Sequence, residues 1–203
     1  TELMPEDPLQ AIRSGNAADV AVLIGSNSDE TTLWGHGDVN YTKLQRIAAE
    51  FNVTNGVSTY RANRPDASAA QLLVALTSDH MFRIPGIRLA EAQTEHTPNV
   101  WMYLFVWISR AFDGRLGATH ALEIPFAFNN LDRAGVDIFI GPGPVPQHLA
   151  DTMHDAWSAF IKNGTLDWPS YTLAQRATMV FDDSSATVDD PMSEERIIWE
   201  GVR

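Results

Sequence analysis

His120 is the residue of this sequence best placed to move a proton. It lies in Gly114-Arg115-Leu116-Gly117-Ala118-Thr119-His120-Ala121-Leu122-Glu123-Ile124-Pro125-Phe126, just after the apolar run Val100 to Ile108. That run is rich in aromatic and β-branched residues and reads as a buried strand. A Gly-rich turn leaves the strand and presents one imidazole. A loop at a strand end is where an α/β enzyme holds a general base. A histidine satisfied by local hydrogen bonds fits the same spacing, and short motifs on their own favour that plainer reading. Glu30 is a second candidate. It follows the apolar segment Val20 to Gly25, read as a strand of a parallel sheet, and a polar turn from Asn27. Functional groups of open α/β sheets gather at such turns, although most glutamates are ordinary surface acids. Asp29 beside it carries the same charge. The other histidines offer less. His36 sits in the flexible loop Gly35-His36-Gly37-Asp38 with no second ligand at metal spacing. His148 and His154 share a helix but not an i, i+4 face. No metal site is expected.

The elements that must position these residues follow from periodicity and punctuation. Asp7 before Pro8 opens a short helix to Ser14. A helix spans Tyr41 to Phe51, with Leu44, Ile47, Ala48 and Phe51 on one face. Asn55-Gly56 marks a turn. Ala67 to Arg83 reads as a helix capped by Asp66 and broken by Pro85, with a second helix from Ile87 to Glu95. Met81 and Phe82 could line a pocket, although packing in the core explains them as well. Leu149, Met153, Ala156, Trp157 and Phe160 form the apolar stripe of a helix from Pro146 or Gln147 to Lys162, closed by Asn163-Gly164. Ala177 to Phe181 reads as a strand and Ser193 to Trp199 as a last helix.

Composition sets the outer limits. The chain has 203 residues, 44% of them hydrophobic, enough for one domain with a real core. Its net charge of −12 argues against nucleic acid and anionic membrane surfaces as partners. There is no cysteine, which excludes disulfides and thiolate chemistry. No apolar run approaches the roughly 18 residues of a membrane span. Asn52-Val53-Thr54 and Asn163-Gly164-Thr165 match the glycosylation pattern, which is common by chance. No signal peptide is visible, and a cytoplasmic location is the expectation.

Several segments, in one order, carry a family resemblance. Gly117 to Phe126 resembles the histidine segment of the type B carboxylesterases, the α/β-hydrolase family that includes the cholinesterases. Val22-Leu23-Ile24-Gly25-Ser26-Asn27-Ser28-Asp29-Glu30 resembles the strand and turn carrying that family's triad acid. Met81 to Pro85, Arg88 to Ala92, Ala156 to Phe160 and Thr178 to Asp182 are similar to its bacterial, para-nitrobenzyl-esterase-like branch. The resemblance implies a mostly parallel sheet flanked by helices, with a helical layer beside it. It implies Glu30 as the acid that orients His120, and His120 as the base. Glu123 belongs to the same motif and is expected to hold the histidine loop or to act as a second acid behind the pair. The substrate implied is a small carboxylic ester, and the serine-hydrolase mechanism requires no cofactor or metal.

The family's nucleophile is a serine at a Gly-x-Ser-x-Gly elbow that precedes the acid in the chain. Gly56-Val57-Ser58-Thr59-Tyr60 and Gly25-Ser26-Asn27-Ser28-Asp29 come nearest, and neither has the second glycine. Residues 1–203, which begin with Thr1, are therefore expected to be the C-terminal segment of one catalytic domain. Serine and oxyanion hole would lie on an N-terminal part, in the same polypeptide or as a separate chain. Alone, this segment is expected to be inactive. The rival expectations are a cholinesterase-like binding or adhesion module and an inactive fragment. Persistence of both Glu30 and His120 weighs against the module.

Overall fold

The computed structural model describes residues 5–202. In chain order the elements are α1 (Pro8–Arg13), β1 (Val22–Asn27), α2 (Tyr41–Glu50), α3 (Gly56–Asn63), α4 (Ala69–Ser78), α5 (Ile84–Thr94), β2 (Val100–Phe105), α6 (Ile124–Ala127), α7 (Val136–Ile140), α8 (Gln147–Asn163), β3 (Ala177–Phe181), β4 (Ala186–Asp189) and α9 (Ser193–Ile197). The strands form one sheet in the order β1-β2-β3-β4, with β1, β2 and β3 parallel and β4 antiparallel to β3. This is the α/β architecture expected: a mostly parallel sheet between helices.

Alternation along the strands builds two cores. Val22, Ile24, Val100 and Met102 face a layer made by α2, α4 and α5, where Leu44, Leu72, Leu73 and Leu76 are buried. Leu23, Trp101, Tyr103 and Phe105 face the opposite way, onto Phe126 and the Met153 side of α8. Burial on both faces explains why β2 is written as a continuous apolar run rather than as an alternation. Gly25 is required where β1 meets β2: a Cβ there would stand 2.2 Å from the Tyr103 carbonyl oxygen.

Three local expectations are corrected. β2 ends at Phe105, not Ile108, because its partner β3 ends at Phe181; Val106 N–H takes the last bond, to Phe181 O. The cap of α4 is Ser68, which forms a capping box with Gln71, not Asp66. The turn expected at Asn55-Gly56 is present: the Gly56 N–H donates to Val53 O at 2.7 Å, and α3 starts at Gly56. Pro85 does not break the helical path. A π turn, Asp79–Arg83, joins α4 to α5, and the Ile84 N–H reaches back to Asp79 O. The wider turn places Pro85 in the first turn of α5, where its missing N–H costs little.

The π turn also turns charged groups inward. Arg83 donates to both carboxylate oxygens of Asp79, at 2.6 and 2.7 Å, and both side chains are buried. Tyr60 donates to Asp79, Trp199 Nε1 donates to the Tyr60 hydroxyl, and buried Glu195 pairs with Arg64. This network ties α3, the π turn and α9 together behind the sheet.

Candidate active site

The parallel register places Asn27, the end of β1, opposite Phe105, the end of β2. Both chains therefore leave the sheet at the same edge, where groups of an open α/β sheet converge. After β1 the chain enters a 3-10 turn, Glu30–Trp34, anchored on α4 through Thr31, whose hydroxyl meets that of Thr77 at 2.6 Å. After β2 it loops out and returns to His120.

The two loops are laced residue by residue. Ala118 N–H donates to Asp29 Oδ2 (3.0 Å), and Asp29 N–H donates to Ala118 O (3.1 Å). The Asn27 amide donates to Thr119 O (2.8 Å), and His120 N–H donates to Glu30 O (3.3 Å). Gly117 has to be glycine here. Its φ is +61°, and a Cβ would lie 2.7 Å from Asp29 Cγ. Ala121, the residue after the histidine, is also left-handed at φ +66°. A non-glycine residue in that region is strained, and such strain persists where neighbours over-determine the backbone.

This lacing brings Glu30 and His120 together. Glu30 Oε2 accepts from His120 Nδ1 at 2.6 Å, while Oε1 accepts the Asn27 N–H at 2.9 Å. The carboxylate is buried, 7% exposed, and the imidazole side chain is 52% exposed. Burial pushes the Glu30 carboxyl up from its ordinary value; the Asn27 N–H and His120 partly offset this, and Glu123 adds to it. With Nδ1 donating to Glu30, Nε2 is the nitrogen left to take a proton from an incoming hydroxyl.

Glu123 makes no hydrogen bond to the imidazole among the described residues; it accepts from the Asn27 amide at 2.5 Å. Phe82, from the π turn, stacks on Trp34 with ring centroids 5.5 Å apart. The two rings lie 5.5 and 5.4 Å from that of His120 and wall one side of it. Met81 is exposed. His36 touches Thr31, His154 Nδ1 meets Ala127 O at 3.0 Å, and neither approaches the pair. Among the described residues no cluster of three or more His, Asp or Glu could hold a metal ion.

Sequence reading alone missed Trp34 and Asn27. Trp34 stands one turn beyond Glu30, a spacing that could have been tested. Asn27 was read as the first residue of a polar turn, where asparagine is ordinary; it is instead the last residue of β1, after Ser26, and nothing in the sequence singled it out.

Parallel strands flanked by helices, with a histidine and a carboxylate raised from adjacent strand ends, define the class as an α/β-hydrolase. The sequence model of the Carboxylesterase family matches residues 1–198, and the chain belongs to that family. It is 31% identical to the para-nitrobenzyl esterase of Bacillus subtilis (strain 168), over 95% of this chain and 40% of that one. It is 30% identical to the phenmedipham hydrolase of Pseudarthrobacter oxydans, over 91% and 40%. A solved Geobacillus stearothermophilus carboxylesterase superposes with a TM-score of 0.80 at 32% identity, covering 96% of this chain and 43% of its own. The chain spans about 40% of the length of these curated relatives. Among the described residues no helix is long and apolar enough to cross a membrane.

Proposed function

We propose that this chain supplies the acid and the base of a serine carboxylic-ester hydrolase. His120 takes the proton of a serine hydroxyl on Nε2 as the hydroxyl attacks the ester carbonyl, and returns it to the departing alcohol. Water then hydrolyses the acyl-enzyme by the same route. Glu30 fixes the tautomer and stabilises the imidazolium formed at each step. The observation that carries this reading is the 2.6 Å bond from His120 Nδ1 to a buried carboxylate, with the imidazole half open to solvent.

Serine and oxyanion hole belong, in this proposal, to an N-terminal part of the same catalytic domain, in one polypeptide or in a separate chain. The outer edge of β1 supports this, since it has no partner among the described residues although β1 pairs in parallel with β2, and parallel strands are normally interior. The Trp34–Phe82 wall supports esters with an aromatic group as substrates. The para-nitrobenzyl ester and phenmedipham in the relatives' names point the same way.

The test is ester hydrolysis by the complete protein that carries this chain. His120→Ala is expected to lower kcat for a para-nitrophenyl ester by about 10³-fold or more, the scale of losing a triad member. A variant within about tenfold of wild type would exclude His120 as the base.

A further inference from the structure

We infer that the Asn27 side chain is a positioning residue for the Glu30–His120 pair, a buried amide strut anchored on Glu123. This rests on the catalytic reading above. Asn27 closes β1 and is 1% exposed. Its backbone N–H holds Glu30 Oε1, and its side-chain Nδ2 donates both to Thr119 O, next to the histidine, and to Glu123 Oε2. One residue thus touches the orienting acid, the histidine loop and the acid that follows it. The amide has one workable orientation. Reversed, its oxygen would face a carbonyl and a carboxylate, both acceptors. A poor strand former at the end of an apolar strand has its reason in what it holds.

Asn27 also holds two like charges: Glu30 on its backbone N–H and Glu123 on its side-chain amide, with Asp29 bound to Ala118 and the Tyr103 phenol close enough to feel both glutamates. Burial, then Glu123 and Glu30, pushes that phenol up. The Nδ2 donor keeps Glu123 engaged while the backbone N–H of the same residue holds Glu30, whose other oxygen meets Nδ1. Replacing that donor by a third carboxylate reverses both effects.

The experiment uses the complete protein and a para-nitrophenyl ester. The variants are Asn27→Asp, Asn27→Ala and Glu123→Gln, with Glu30→Gln and His120→Ala as controls. Asn27→Asp is expected to lower kcat about tenfold with KM within about twofold, and to move the acid limb of kcat/KM up by about one unit. Adding Glu123→Gln should remove about half of that shift or more, because the two acids act on one site. Asn27→Ala should lower kcat without moving the limb. Wild-type kcat and pH limb in both Asn27 variants, with both controls inactive, would overturn the strut. So would, in Asn27→Asp, a kcat loss matched by a lower urea midpoint and an unmoved limb. If neither Asn27 variant folds, Glu123→Gln decides: its acid limb should move down, and an unmoved limb refutes the inference. If the controls stay active, the catalytic reading fails and the strut fails with it.

Discussion

Glu30→Gln is the sharpest perturbation, because it exchanges one carboxylate oxygen for an NH2 group and keeps the shape. Glu30 has two obligations: Oε1 accepts the Asn27 N–H at 2.9 Å and Oε2 accepts from His120 Nδ1 at 2.6 Å. Glutamine has one acceptor. A backbone N–H can only donate, so the amide oxygen is expected to stay on Asn27 and the NH2 to turn toward Nδ1. Nδ1 must then accept, and the ring proton moves to Nε2, where a base needs its lone pair. The reversed amide sets two donors against each other at Asn27. A mispaired buried donor costs about 1–3 kcal/mol, and the lost bond to a charged group about 1.5–3 kcal/mol. Together these remove about 3–6 kcal/mol, or about 10²–10⁴ in kcat. Stability should behave differently. Burial raises the folded-state Glu30 carboxyl above its unfolded value, so the fold favours the neutral form. Wild-type stability relative to Glu30→Gln should therefore be highest below the unfolded carboxylate value and fall as pH rises through the folded one. The assay is steady-state ester hydrolysis at the pH optimum, paired with urea unfolding at several pH values. A variant within about tenfold of wild-type kcat would refute the tautomer argument, since even the low end of the range exceeds that.

Three other predictions concern the surroundings of the pair. Trp34→Ala should lower kcat/KM for an aryl ester about 2–12-fold relative to a short alkyl ester, since an aromatic contact contributes about 0.5–1.5 kcal/mol; an unchanged ratio would remove Trp34 from the substrate wall. Gly117→Ala places a methyl against Asp29 at a left-handed φ, and should destabilise by about 1–3 kcal/mol and abolish turnover; a neutral urea midpoint would show that the loop relaxes freely. Arg83→Leu leaves Asp79 buried without its cation and should cost about 3–5 kcal/mol in urea unfolding, with Asp79→Leu added recovering part of the loss. A double variant worse than the single would mean that packing, not charge, governs the site.

What the sequence disclosed and what it concealed divide along a physical line. β2 was legible because burial on both faces writes an unbroken apolar run, β1 because a shorter apolar segment, Val20 to Ile24, runs up to a glycine, and α8 because its stripe repeats at helical spacing. β4 was not: all four of its residues are exposed on a sheet edge, so no pattern is imposed on them. α3 buries only Gly56 and Tyr60, too little for a stripe. Pro85 signalled a break because the rule assumes an α-helical ladder, and the extra residue of the π turn removes that assumption. The candidate site follows the same division. His120 and Glu30 were each legible as polar residues on loops after strands, a local property. Their meeting was not, because it depends on the register of Asn27 against Phe105 and on bonds between loops far apart in the chain. Only the family resemblance supplied that pairing. Asn27 shows the reverse case. Its identity is local and visible, but its purpose exists only once Thr119 and Glu123 have been brought to it, so an amide at a strand end reads as an ordinary turn residue until the fold supplies its partners.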